Sequence, residues 1–212
     1  MSKPTSTIDS QLEAAQVSID NSLADLEILG LVKSYGYTAE KLLEGKALFA
    51  AAQAAVNAQG LAAGRQKTAT AAFNAARTQA FDGFQALAKV ARASVSDSGQ
   101  LKELGLNVPM PRKTGAFRNV ASQLFENAAS VPALGQFGYD AARIGAEQAK
   151  LAAYVSANDQ QEIAKGAAKQ ATTDQDAALK ALNKWTAQYI KIARVALRAK
   201  PDLLKKLGVV RA

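Results

Sequence analysis

The 212-residue chain is 49% hydrophobic but only 6% aromatic, and its formal net charge is +8. It contains no cysteine and no histidine, which excludes disulfides and thiolate sites and removes the usual general base and the usual zinc ligand. Much of the apolar content is alanine, which loses no side-chain entropy in a helix, and no alternating run of β-branched or aromatic residues marks a strand, so the expected fold class is all-α.

In chain order, residues 1–9 read as a polar N-terminal tail. "SQLE" at 10–13 fits a capping box with Ser10 as N-cap. A helix is expected from Gln11 towards Lys33, with Leu12, Val17, Ile19, Leu23, Leu26 and Leu31 on its apolar face. "GLVKSYGY" breaks it. Two proline-free stretches follow at 38–97 and 140–199, capped by Thr38 and Asp140. In the first, Leu43, Ala47, Ala50 and Ala54, then Ala72, Ala76, Phe84, Leu87 and Ala91, recur at helical spacing. Between the stretches lie a short helix in "SDSGQLKELG", a Pro/Gly linker, a medium helix at 116–130 and the closing "SVPALGQFGY".

Each long stretch is one helix or a hairpin. The weak turn signals are "NAQGLAAGRQ" (57–66) in the first, and "ANDQ" (157–160) or the residues before "TTDQD" (172–176) in the second. Two hairpins forming a four-helix bundle close the apolar faces within one molecule. An extended rod of long helices, completed by assembly, is the alternative.

The chain repeats itself. "YGY" at 35–37 returns as "FGY" at 137–139, an offset of 102 residues. At that offset Gly64 meets Gly166, Lys67 meets Lys169, Thr70 meets Thr172, Lys89 meets Lys191 and Arg92 meets Arg194. With one residue inserted, Leu101, Leu104 and Gly105 align with Leu204, Leu207 and Gly208. A tandem duplication follows: a first helical unit at 10–110, a linker at 111–115 and a second, basic helical unit at 116–212. The "FGYDAARI", "KGAAKQATTDQDAALKALNKW" and "IKIARVALRAKPDLLKKLGVV" segments resemble a group of small, uncharacterised bacterial proteins. These are all-helical and duplicated, with a Gly-Tyr start and a Pro-x-Leu-Leu-x-x-Leu-Gly ending. The resemblance implies a helical duplication and no activity. The first repeat lacks the proline of the ending.

Little in the sequence carries catalytic chemistry. "GLAAGRQKT" (60–68) departs from a phosphate loop, which needs four residues between its first glycine and Gly-Lys-Ser/Thr and a preceding strand; here the glycines are four apart and Arg65 follows Gly64. Asp174 and Asp176 point in different directions on a helix and read as N-terminal carboxylates favoured by the macrodipole. Trp185 and Tyr189, at i and i+4, read as core or as a seam. Gly36–Tyr37 and Gly138–Tyr139 read as turns with an aromatic anchor. No catalytic residue, metal ligand or cofactor is expected.

Charge is uneven along the chain. Residues 1–110 hold 10 basic and 10 acidic side chains, and residues 111–212 hold 16 and 8. Arg198, Lys200, Lys205, Lys206 and Arg211 form the candidate anion-binding group. The expected function is a non-enzymatic structural or scaffolding protein, acting by helix-mediated self-association or protein contact and extending to filaments. A polyanion-binding module for nucleic acid or an acidic surface is the alternative, which makes an acidic protein or nucleic acid the other expected partner. No window approaches the ~18 apolar residues of a membrane span, and the N-terminus lacks a signal-peptide core. The expected location is the cytoplasm, although signal-independent export would leave no mark in the sequence.

Overall fold

The computed structural model describes residues 7–209, and among these every regular element is an α-helix. Helix α1 spans Ile8–Ala24 and α2 spans Leu26–Lys33. The single helix expected here is broken, because Asp25 folds into extended backbone and its carboxylate caps α2 by accepting from the Glu27 and Ile28 amides. The start also differs from expectation. Thr7, not Ser10, is the N-cap, and its hydroxyl accepts from the Ser10 amide at 3.2 Å. Residues 8 and 9 are therefore helix and not tail. Leu26, expected on the apolar face, is 81% exposed.

Helices α3 (Ala39–Ser94) and α7 (Ala141–Ala196) are continuous over 56 residues each. Thr38 and Asp140 cap them as expected. The expected hairpin turns are absent, and with them the hairpins on which the four-helix bundle was built. The local reason is visible in the hydroxyls. A threonine that started a new helix would turn its oxygen towards the next amides. Thr68, Thr172 and Thr173 instead donate back to the carbonyls of Gly64, Ala168 and Lys169, four residues earlier. Asp174 and Asp176 consequently lie inside α7 and not at a helix start, and Asp174 accepts from Gln170 at 2.7 Å. The remaining elements are α4 (Ser98–Glu103), α5 (Thr114–Ala128), α6 (Pro132–Gly135) and α8 (Pro201–Lys206).

Two compact units result, and they do not follow the sequence repeats. A split unit combines residues 1–63 with 167–212, and a continuous unit comprises residues 64–166. The split unit holds α1, α2, the start of α3, the end of α7, and α8. The continuous unit holds the end of α3, then α4, α5 and α6, and the start of α7. Charge, lopsided between the repeats, is even between the units. The split unit has 14 basic and 10 acidic residues and the continuous unit 12 and 8, a net +4 in each.

Within each unit α3 and α7 run antiparallel. In the split unit Gly45 lies against Trp185, while Ala52 shares a core with Leu179 and Leu182. In the continuous unit the Gln161 amide donates to the Thr70 hydroxyl at 3.3 Å and Gly83 lies against Glu147. Buried positions on α7 recur every seventh residue: Tyr154, Gln161, Ala168, Gln175, Leu182 and Tyr189. That is the period of a coiled-coil seam. The seam of α3 follows Leu42, Ala52, Ala80 and Leu87. The alternative set, Leu43, Ala47, Ala50 and Ala54, is exposed and does not face the core as expected.

Identical caps close matching elements. Gly36, Gly105, Gly138 and Gly208 alone among the described residues have φ between 72° and 87°. Each ends a helix in a Schellman motif, as in the Tyr37 amide to Val32 carbonyl and Tyr139 amide to Leu134 carbonyl bonds. A side chain at these positions would be strained.

Candidate functional site

The aromatic anchors belong to two different environments. In the split unit Tyr37, Trp185 and Tyr189 form one cluster with ring centroids 4.8–5.8 Å apart. Tyr189 is fully buried, and its hydroxyl shares a hydrogen bond with Ser22. Burial pushes the phenols of Tyr189 and Tyr37 above their ordinary range. The indole lies so close to Gly45 that a Cβ there would collide with three ring carbons. Trp185 Nε1 and Thr186 Oγ1 are buried without a hydrogen-bond partner. In the continuous unit Tyr139 is buried, with the Arg143 guanidinium 4.2 Å above its ring centroid.

The five candidate anion-binding residues do not form one free patch. Lys206 pairs with Asp25 at 2.8 Å, Lys200 pairs with Glu27, and Lys205 pairs with Asp202 at 2.8 Å. The Asn21 amide also donates to the Lys206 carbonyl at 2.5 Å. The Lys206 ammonium, with the Ile28 and Glu27 amides, holds the Asp25 carboxyl below its ordinary value, and Asp25 in turn raises the Lys206 ammonium. Sequence reasoning missed these acidic partners because Asp25 and Glu27 lie more than 170 positions away. Arg198 is exposed, and Arg211 lies outside the described residues.

The structure adds a site that the sequence did not suggest. A cleft of about 500 Å3 lies between α5 and α7 in the continuous unit. Buried Leu151, half-buried Val155 and exposed Ala152 supply its apolar lining. Arg118, Ser122 and Glu126 line it from α5, and Gln148, Ser156 and Asp159 from α7. The α5 residues are four apart, so successive turns aim them at one side. Tyr154 anchors the two helices through a 3.0 Å hydrogen bond to Thr114 and edge-on contact with Phe117. Arg118, Glu126 and Asp159 form no ion pair with one another or with any other of the described residues.

The matching positions carry different side chains in the split unit. At the 102-residue offset Ser122 and Gln148 correspond to Asp20 and Lys46, which form an ion pair at 2.9 Å. Leu151 corresponds to the larger Phe49. Gln16, Ala24 and Asn57 stand where the cleft has Arg118, Glu126 and Asp159. One comparison of repeat positions, ionic pair against serine and glutamine, was the available sequence signal. The arrangement suits ion pairing at its rim and apolar contact along its lining. No group of three or more His, Cys, Asp or Glu able to hold a metal occurs among the described residues, and no described helix is long and apolar enough to cross a membrane. No family model, curated protein or solved structure matches the chain.

Proposed function

We propose that the chain is a non-enzymatic helical scaffold, built by tandem duplication, that acts by associating with copies of itself. One observation carries the reading. Leu43, Ala47, Ala50, Ala54 and Leu61 line the solvent side of α3 at alternating spacings of three, four and seven, and the two leucines are 53% and 64% exposed. This is a coiled-coil seam without a partner. Its alanines let a second helix approach closely, and each leucine contributes ~1.5–3 kcal/mol when fully buried.

The duplication is supported by contacts as well as by letters. Asn21 bonds the Lys206 carbonyl, and Gln123, at the matching position, bonds the carbonyls of Lys102 and Glu103. Gly45 against Trp185 is matched by Glu147 against Gly83, each residue displaced by 102 positions. On this reading each compact unit is a small bundle that draws helices from both repeats. The resemblance to duplicated helical proteins agrees with it.

Light scattering coupled to size-exclusion chromatography tests the self-association. The expected result is a concentration-dependent dimer or larger species that returns to monomer in Leu43→Asp/Leu61→Asp. A monomeric parent protein at high concentration overturns the proposal.

A further inference from the structure

The cleft of the continuous unit has three kinds of lining. Leu151, Ala152 and Val155 supply apolar surface. Ser122, Gln148 and Ser156 supply hydroxyl and amide groups that both donate and accept. Arg118 and Glu126 supply opposite charges eight residues apart on α5, a separation of ~12 Å at 1.5 Å per residue. Asp159 lies on the Arg118 side, because Tyr154 is tied to Thr114 at the start of α5 and α7 runs on past that point.

The lining is not inherited from the repeat. In the split unit two of the matching positions hold the half-exposed Asp20–Lys46 ion pair, and none of the three rim charges is present there. The three rim charges occur together with the serine and glutamine lining in one copy only. A merely solvated face would need neither apolar surface nor a gap between helices.

We propose that this cleft binds a short peptide with free termini. An extended tripeptide spans ~10 Å at 3.3–3.6 Å per residue, close to the ~12 Å rise of α5 between Arg118 and Glu126. Its carboxylate meets the Arg118 guanidinium, the planar donor suited to that group. Its ammonium meets Glu126. Apolar side chains rest on Leu151 and Val155, and the peptide groups bond Ser122, Gln148 and Ser156. Asp159, beside the carboxylate end, selects a basic residue at the peptide's last position. The volume of about 500 Å3 falls within the range of small-molecule sites.

The test is an NMR titration of the 15N-labelled full chain with trileucine. Saturable shifts confined to the amides of α5 and the facing part of α7 are expected. N-acetyl-trileucine amide, which lacks both charges, binds about tenfold more weakly. Arg118→Ala and Glu126→Ala each weaken trileucine by a similar factor. Leu-Leu-Lys binds more tightly than trileucine, and Asp159→Asn removes that preference. Ser122→Asp/Gln148→Lys installs the ion pair of the split unit at two solvent-facing positions. With its circular dichroism unchanged, it abolishes binding. No saturable shift with trileucine, equal binding of the capped peptide, or full binding by the Arg118→Ala and Glu126→Ala variants overturns the proposal. Shifts centred on other helices overturn it as well.

Discussion

On the proposed duplication, matching positions of the split and continuous units carry contrasting chemistry. Where the split unit buries the Ser22–Tyr189 hydroxyl pair, the continuous unit places Leu124 and Leu87 in its core. Where the split unit has Ala15 and Ala52, the continuous unit has Phe117 and Tyr154, ring against ring. Phe81 stacks on Phe117 at 3.9 Å, whereas Asn183, its counterpart, donates to Gln11 at 2.5 Å. The C-terminal glycine caps do not change between the two, whereas the N-caps do. Backbone geometry at these helix C-termini is thus the shared property, and side-chain volume and polarity are exchanged in matched groups within it. Such coupled exchange is expected where interiors are close-packed and a lone change leaves a void or a clash.

The largest break should come from Phe117→Ala. It removes the ring shared by Phe81, Phe84 and Tyr154 and should cost ~3–5 kcal/mol. Trp185, the single tryptophan, lies in the split unit. Denaturation followed by its fluorescence and by far-ultraviolet circular dichroism should therefore separate into two transitions for this variant, with the fluorescence midpoint shifting less.

A second, smaller contrast is Gly45→Ala against Gly83→Ala. The positions are mirror members of the same crossing. A methyl at Gly45 meets the rigid indole, and one at Gly83 meets the end of the Glu147 side chain, which can swing away. Both gain up to ~1 kcal/mol of helix propensity. Gly45→Ala should lose more than it gains, by ~1–3 kcal/mol. Gly83→Ala should be near neutral or stabilising in chemical denaturation.

Tyr189→Phe should cost about 1 kcal/mol, the worth of one ordinary hydrogen bond, because Ser22 keeps its bond to the Ser18 carbonyl. It makes the split unit resemble the all-apolar continuous one at that point, and calorimetry reads the change.

The smallest effect is on pH. Asp25 is lowered in the folded state, so its contribution is full above its ordinary value of 3.8 and is lost as pH falls through the lower folded value. Tyr37, Tyr189 and Lys206 are raised, so their contributions are full below about 10 and are lost as pH rises further. Melting of the split unit, read by Trp185 fluorescence, should therefore be flat between these limits and fall at both ends. Asp25→Asn should flatten the acid end.

Much of the helical architecture was legible. The Gly-Tyr breaks, the Thr38 and Asp140 caps and the terminal helices could be placed because glycine, threonine and aspartate report backbone geometry directly. Which face of α3 is buried was not legible, because alanine fits either side. The larger markers, Leu42, Phe49 and Val56, lie on the seam, while Leu43 next to Leu42 points outward. Helix continuity was obscured because Gly60, Gly64, Asn158, Asp159 and Thr173 suit turns and caps as well as helix interiors, and all of them lie inside α3 or α7. The pairing of the basic C-terminal segment was hidden by distance along the chain. The cleft was hidden because its residues are ordinary one at a time and unusual only beside their counterparts.

The division of the chain into a split and a continuous unit sets an order of events during synthesis. Every residue of the continuous unit has been made when Gly166 leaves the ribosome, so that unit can close while translation continues. Residues 1–63 must wait, because Leu182, Tyr189, Leu197 and Leu203, which bury Leu12, Ile28, Val32 and Leu42, come last. For that interval the N-terminal helices carry an uncovered apolar face, exposed to chaperones or to the matching C-terminal segment of a neighbouring nascent chain.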